Sequence, residues 1–160
     1  MKSFLPRFLA VVVFILLVFF QTTSWVIFFG VRPNLVLILL TTLSFFVGHW
    51  LLFLAAAIFA GLVIFSASSF WPALVLVVLG LSAFWLGHRL PGRPFFNNSF
   101  IIILSTLIFY GVINPDFLSL NPMLVVLEAS LNVFLGSLFF WFLLFLFRES
   151  HEKKARVAIR

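Results

Sequence analysis

The chain has 160 residues, 64% hydrophobic and 9% charged, with a formal net charge of +6 and no cysteine, and its mean hydropathy is +1.29. A water-soluble domain carries about a quarter of its residues as charged side chains, so a water-facing globule is excluded and lipid is the solvent for most of this surface. Disulfides, thiolate metal sites and thiol nucleophiles are excluded with it.

The basic excess does not indicate nucleic acid. Half of the ten Lys/Arg residues (Arg148, Lys153, Lys154, Arg156 and Arg160) lie at the C-terminal end, as on the cytoplasmic flank of a membrane helix. Such a tail can also rest on anionic membrane lipid, each cation near the surface contributing about 1 kcal/mol.

In chain order, Lys2 and Arg7 precede an apolar run that starts at Phe8. No small-x-small cleavage pattern follows it, so a retained first span over 6–28 is expected rather than a signal peptide. Gln21 and Trp25 stand one helical turn apart near its far interface, where Trp is enriched. Next comes Gly30-Val-Arg32-Pro33-Asn34-Leu35, the point where the chain re-inserts. Arg32 marks the water line, Pro33 suits a first helical turn because it has no N–H to lose, and aliphatic residues carry a second span over 33–48.

Gly48-His49-Trp50 makes a turn before a third span at 50–66, and Ser66-Ala67-Ser68-Ser69 breaks it before a fourth at 71–87. The loop His88-Arg89-Leu90-Pro91-Gly92-Arg93-Pro94 leads to a fifth span at 98–114. Asn114-Pro115-Asp116 and Asn121-Pro122 then bracket a short loop before a sixth at 123–147. Several of these runs are near the lower length limit for a hydrocarbon core about 30 Å thick. The expected fold is therefore all-α: one polytopic membrane bundle over 1–147 with six transmembrane helices, both termini cytoplasmic, and a basic cytoplasmic tail over 148–160.

Charge leaves a five-span alternative open. Six spans put every Lys/Arg except Arg32 inside; two crossings rather than three between Pro33 and Gly87 would move the N-terminus outside, and both arrangements satisfy the positive-inside rule. Length favours six, since the stretch from Pro33 to Gly87 makes roughly 80 Å of helix at ~1.5 Å per residue.

Polar groups in hydrocarbon are costly, and each carries a hypothesis. Glu128, Asn132 and Gly136 follow one another at i, i+4 and i+8 and share a helix face. That seam reads either as a substrate or proton site centred on Glu128 or as helix–helix adhesion; adhesion is favoured because no second buried ionisable group stands by as a relay. Ala57 and Gly61, and Gly80, Ala83 and Gly87, give two further helices small-residue faces for close approach. Arg32 reads best as an interfacial anchor. His49 and His88 read as solvated helix ends, with no neighbours at ligand spacing.

No phosphate loop, zinc-protease pattern or Ser/His/Asp set is present, and only four acidic residues exist to build an acid–base pair. No catalytic residue, cofactor site or metal site is expected, and the chain is expected not to be an enzyme.

At this point the sequence resembles the rod-shape-determining protein MreD family. The resemblance lies in the length, the six-run layout, Gln21 near the end of the first span, and Val31-Arg32-Pro33-Asn34-Leu35 opening the second. The arginine-containing loop after the fourth run, Leu131-Asn132-Val133-Phe134-Leu135-Gly136 in the last, and the basic C-terminal exit are also similar.

The resemblance implies a non-enzymatic scaffold subunit of the bacterial cell-elongation machinery in the inner (plasma) membrane. Its partners would be an MreC-like protein, the MreB filament and peptidoglycan synthases, and the packing faces also allow a homo-oligomer. Family members often carry an acid at the end of the third helix; here Gly61-Leu-Val-Ile-Phe-Ser66 has none, so any role of that acid does not transfer. The competing expectation is the substrate-binding subunit of an energy-coupling-factor vitamin transporter, with Gln21, Asn34, Asp116, Asn121 and Glu128 on its outer side.

Overall fold

The structure, a computed structural model, describes residues 4–23, 31–67 and 69–157, and of 4–7 and 148–157 it gives the helical backbone alone. Lys2, Trp25, the 24–28 part of the first expected span and the last three residues lie outside the described residues. Every regular element among the described residues is a helix: α1 (Phe4–Thr22), α2 (Leu35–Leu43), α3 (Trp50–Ala67), α4 (Phe70–Gly87), α5 (Pro94–Ile113), α6 (Pro115–Leu120) and α7 (Pro122–Val157). Four of these, α3, α4, α5 and the Pro122–Phe147 part of α7, are long and apolar enough to cross a membrane, and Phe8–Thr22 is a shorter apolar helix. The chain is thus built as a membrane helix bundle, as its composition requires.

Proline and asparagine set the helix starts. Pro94 occupies the first turn of α5, where its fixed φ is already helical, so α5 begins before the apolar run that starts near residue 98. Asn114 caps α6 by accepting from Phe117 N–H at 3.1 Å, with Pro115 next to it. The loop before α5 turns at Gly92, whose φ of 111° is open to glycine and rare for side-chain-bearing residues. Asn97 Nδ2 ties that loop to α5 by donating to Leu90 O at 3.2 Å and Pro91 O at 3.3 Å.

The second helix differs from the span expected over 33–48. It has nine residues, all of them buried, and is about 13 Å long. Pro33 precedes it instead of opening it, because Asn34 is its N-cap. Near its end Thr41 Oγ1 donates to Leu37 O and Ile38 O, and Ser44 Oγ donates to Thr41 O. The backbone then tightens, with Phe45 N–H on Thr42 O and Phe46 N–H on Leu43 O. By contrast α7 runs unbroken for 36 residues, far past the apolar run.

Helix α2 is the centre of the packing, with α1, α3, α4, α5 and α7 against it. Paired levels fix the directions. Asn34 meets Asn132 and Phe46 meets Phe147, so α2 and the turn after it run alongside α7. Gly80 lies against Leu40, and Gly87 against Ser44 and Phe45, so α4 runs the same way. Phe95 faces Phe140 while Tyr110 faces Glu128, so α5 runs opposite to α7. Phe53 stacks on Phe84 and Phe65 meets Phe70, which sets α3 antiparallel to α4.

Small residues permit these approaches: a Cβ on Gly61 would lie 2.6 Å from Val77 Cγ2 of α4, and one on Gly136 would run into Ile102 of α5. The bundle therefore has an Asn34 end, carrying Gln21, Arg32, Tyr110 and Glu128, and a His49 end.

Candidate functional site

The first N–H groups of a helix have no partner within it, and hydrocarbon supplies none. The start of α2 is inside the bundle, with Asn34 8% exposed, so protein oxygens have to meet it. Three side chains from three parts of the chain do so. Asn34 N–H donates to Asn132 Oδ1 of α7 at 3.1 Å, Leu35 N–H to Gln21 Oε1 of α1 at 2.7 Å, and Leu37 N–H to Asn34 Oδ1 at 3.1 Å. Pro33 has no N–H to satisfy.

The end of α1 shows the complementary arrangement. Its terminal carbonyls are met by Thr22 Oγ1 on Phe19 O at 2.7 Å and Thr23 Oγ1 on Phe20 O at 2.8 Å. Arg32 Nη2 donates to Gln21 O and, at 2.7 Å, to Thr23 O. A cation at a helix C-terminus also opposes the negative end of the helix dipole. Arg32 is therefore a cap on α1, a more specific engagement than the interfacial anchor expected from its position.

On α7, Asn132 is fully buried and Glu128 is 4% exposed. Asn132 Nδ2 donates to Thr106 Oγ1 of α5 at 3.1 Å, and Thr106 passes its own hydrogen to Ile102 O at 2.8 Å. One turn toward the Asn34 end, the Tyr110 hydroxyl donates to Glu128 Oε2. Gly136, one turn the other way, lets α7 close on Ile102 of α5 and Ile38 of α2. The seam of Glu128, Asn132 and Gly136 thus faces protein throughout, and two of its members are tied to α5.

Above this seam is a cavity of about 260 Å³. Its polar wall is formed by Gln21, Thr22, Arg32, Asn34, Tyr110 and Glu128, and its apolar wall by side chains of α3, α4 and α5. Asp116 and Asn121, expected on the same side, do not line it. At the opposite end His49 and His88 line a wider crevice of about 610 Å³, and His88 Nδ1 lies 2.8 Å from Phe84 O. No group of three or more potential metal ligands occurs among the described residues.

Sequence reasoning singled out Gln21, Arg32, Pro33, Asn34, Glu128, Asn132 and Gly136, and the structure brings all seven to one end or one seam of the bundle. It missed Thr106 and Tyr110. A signal existed, because Tyr110 is the single tyrosine in a chain with 25 phenylalanines, and Thr106 precedes it at i−4, the spacing that also separates Glu128 from Asn132. No protein-family model matches the chain, and no curated protein or solved structure is detectably similar to it.

Proposed function

We propose that this protein is a non-enzymatic, MreD-like scaffold subunit of the bacterial cell-elongation machinery, a multi-pass protein of the inner (plasma) membrane. The observation that carries the reading is α7. Its 36 residues make about 54 Å of continuous helix, against a hydrocarbon core of about 30 Å. A continuous helix that leaves a packed bundle and ends in a basic sequence is a handle for a partner in the cytoplasm. The capped ends of α1 and α2 support the same reading, since most of the polar groups near Asn34 hold the bundle together.

In this proposal the chain makes six crossings, with α2 and the turn after it as the second, and both termini are cytoplasmic. The alternating directions of α2, α3, α4, α5 and α7 support that count. An MreC-like protein, MreB and peptidoglycan synthases are its partners, and catalysis resides in them. The test is co-purification from native membranes in mild detergent together with a gene deletion. Recovery of the MreC-like partner and loss of rod shape are expected. A deletion strain that stays rod-shaped, with no such partner recovered, overturns the assignment.

One observation favours a second reading, the substrate-binding subunit of a vitamin transporter: the polar cavity at the Asn34 end. Recovery of an ATP-hydrolysing module in the same purification would select it.

A further inference from the structure

The cavity at the Asn34 end contains more unspent polar chemistry than capping requires. Arg32 uses Nη2 on the α1 carbonyls, which leaves Nε and Nη1 of its five-donor fork without a protein acceptor among the described residues. Gln21 gives its Oε1 to Leu35 N–H, and the two hydrogens on its Nε2 have no acceptor among the described residues. Across the same space, Glu128 is 4% exposed; its carboxyl group accepts from Tyr110 through Oε2 and has the Asn132 amide as a second side-chain partner.

A guanidinium and a carboxyl group thus line one cavity with no ion pair joining them among the described residues. The remaining wall is apolar, formed by Ile64, Leu76 and Phe109 among others. The volume, about 260 Å³, is just below the ~300 Å³ at which sites for drug-sized ligands begin, so a small molecule of few heavy atoms fits it best.

We propose that this cavity binds a small zwitterion of amino-acid type with an apolar side chain, its carboxylate on Arg32 and Gln21 and its ammonium on Glu128 beside Tyr110. Each half of the cavity supplies the partner that one end of such a molecule needs: donors in a planar fork for a carboxylate, and an acceptor for an ammonium. Neither an anion nor a cation alone uses both. The inference rests on the cavity, and a ligand-responsive scaffold and a transport subunit would both accommodate it. Partner recovery decides between those two roles, whereas the ligand test below bears on the site alone.

The test uses the purified full chain in lipid nanodiscs and three probes of matched shape, titrated calorimetrically at constant ionic strength. L-Valine carries both charges, isovalerate lacks the ammonium and isobutylamine lacks the carboxylate. Charged hydrogen bonds are individually strong enough that valine should bind about tenfold or more tightly than either fragment. Glu128→Gln should bring valine down to the level of isovalerate. Valine binding no tighter than isovalerate or isobutylamine, or no valine binding at all, overturns the proposal. The comparison of the three probes on the unmodified chain decides this even if Glu128→Gln fails to fold.

Discussion

Asn132 shows how much one side chain can hold in a bundle without water. Its amide bridges three helices: Oδ1 takes the Asn34 N–H at the start of α2, and Nδ2 reaches Thr106 of α5. Replacing it with leucine keeps the volume and removes both bonds, leaving a buried N–H that nothing else can reach. A buried donor left unpaired costs about 1–3 kcal/mol, so Asn132→Leu should lower stability by about 2 kcal/mol. Ser130→Leu on the exposed face of the same helix should change it by less than about 0.5 kcal/mol. Thermal unfolding in detergent reads both, and equal midpoints for the two variants would mean that Asn132 caps nothing. Asn34→Ala removes the acceptor for Leu37 N–H and should cost about 1 kcal/mol by the same measurement. A Tm unchanged from the parent protein would show that water or lipid headgroups already satisfy this helix start.

Helices α3 and α4 meet through glycine and alanine, and their separation is a prediction about an element pair. A Cβ at Gly61 would stand 2.6 Å from Val77 Cγ2, inside any tolerable contact, so Gly61→Val overpacks the pair and should cost about 1–3 kcal/mol. Val77→Ala removes the obstructing methyls. In combination with Gly61→Val it should restore most of the loss, a non-additivity that only contacting residues show. Additive losses in the double variant would place the two helices further apart than described here. This close approach was legible in the sequence, because small residues at i and i+4 have few other uses in a membrane helix. The long apolar runs were legible for the same kind of reason: hydrocarbon restricts a spanning segment to one pattern. The extent of α2 was not. Its apolar run continues past Leu43 in composition whereas the helix does not, and hydropathy does not register where a helix ends inside an apolar run. Nor was the meeting of Gln21, Asn34 and Asn132, since each is locally an isolated polar residue and Asn34 and Asn132 are far apart in the chain. Periodicity could say that Asn132 faces protein, but not that a helix start would be waiting for it.

The molecule as a whole is organised so that each pass returns polar backbone to itself and leaves aromatic and aliphatic side chains outward. Phe8, Trp50, Leu52, Trp71, Trp85 and Phe145 are all more than half exposed, an outer surface suited to lipid rather than water. The protein should therefore stay with the membrane through alkali and high salt and be released only by detergent. Sidedness is a sharper test, because the six-crossing proposal makes α2 do a full crossing with only nine helical residues. The turn and connecting residues up to His49 carry the chain further, and the rest of the crossing can be met by local thinning of the bilayer. If that holds, an alkaline phosphatase reporter, active only outside the cytoplasm, should be silent at both termini and after Gly92, and active when inserted within Pro115–Leu120. The five-crossing alternative agrees at every position except the first, where an N-terminal reporter would be active. Activity there would mean that α2 dips into the membrane and returns. Arg32 and Asn34 would then be on the cytoplasmic side, away from the outer half of α7, where Asn132 Oδ1 takes the Asn34 N–H at 3.1 Å. That hydrogen bond and an outward N-terminus are incompatible, so the reporter at the first residue tests the centre of the fold as well as its sidedness.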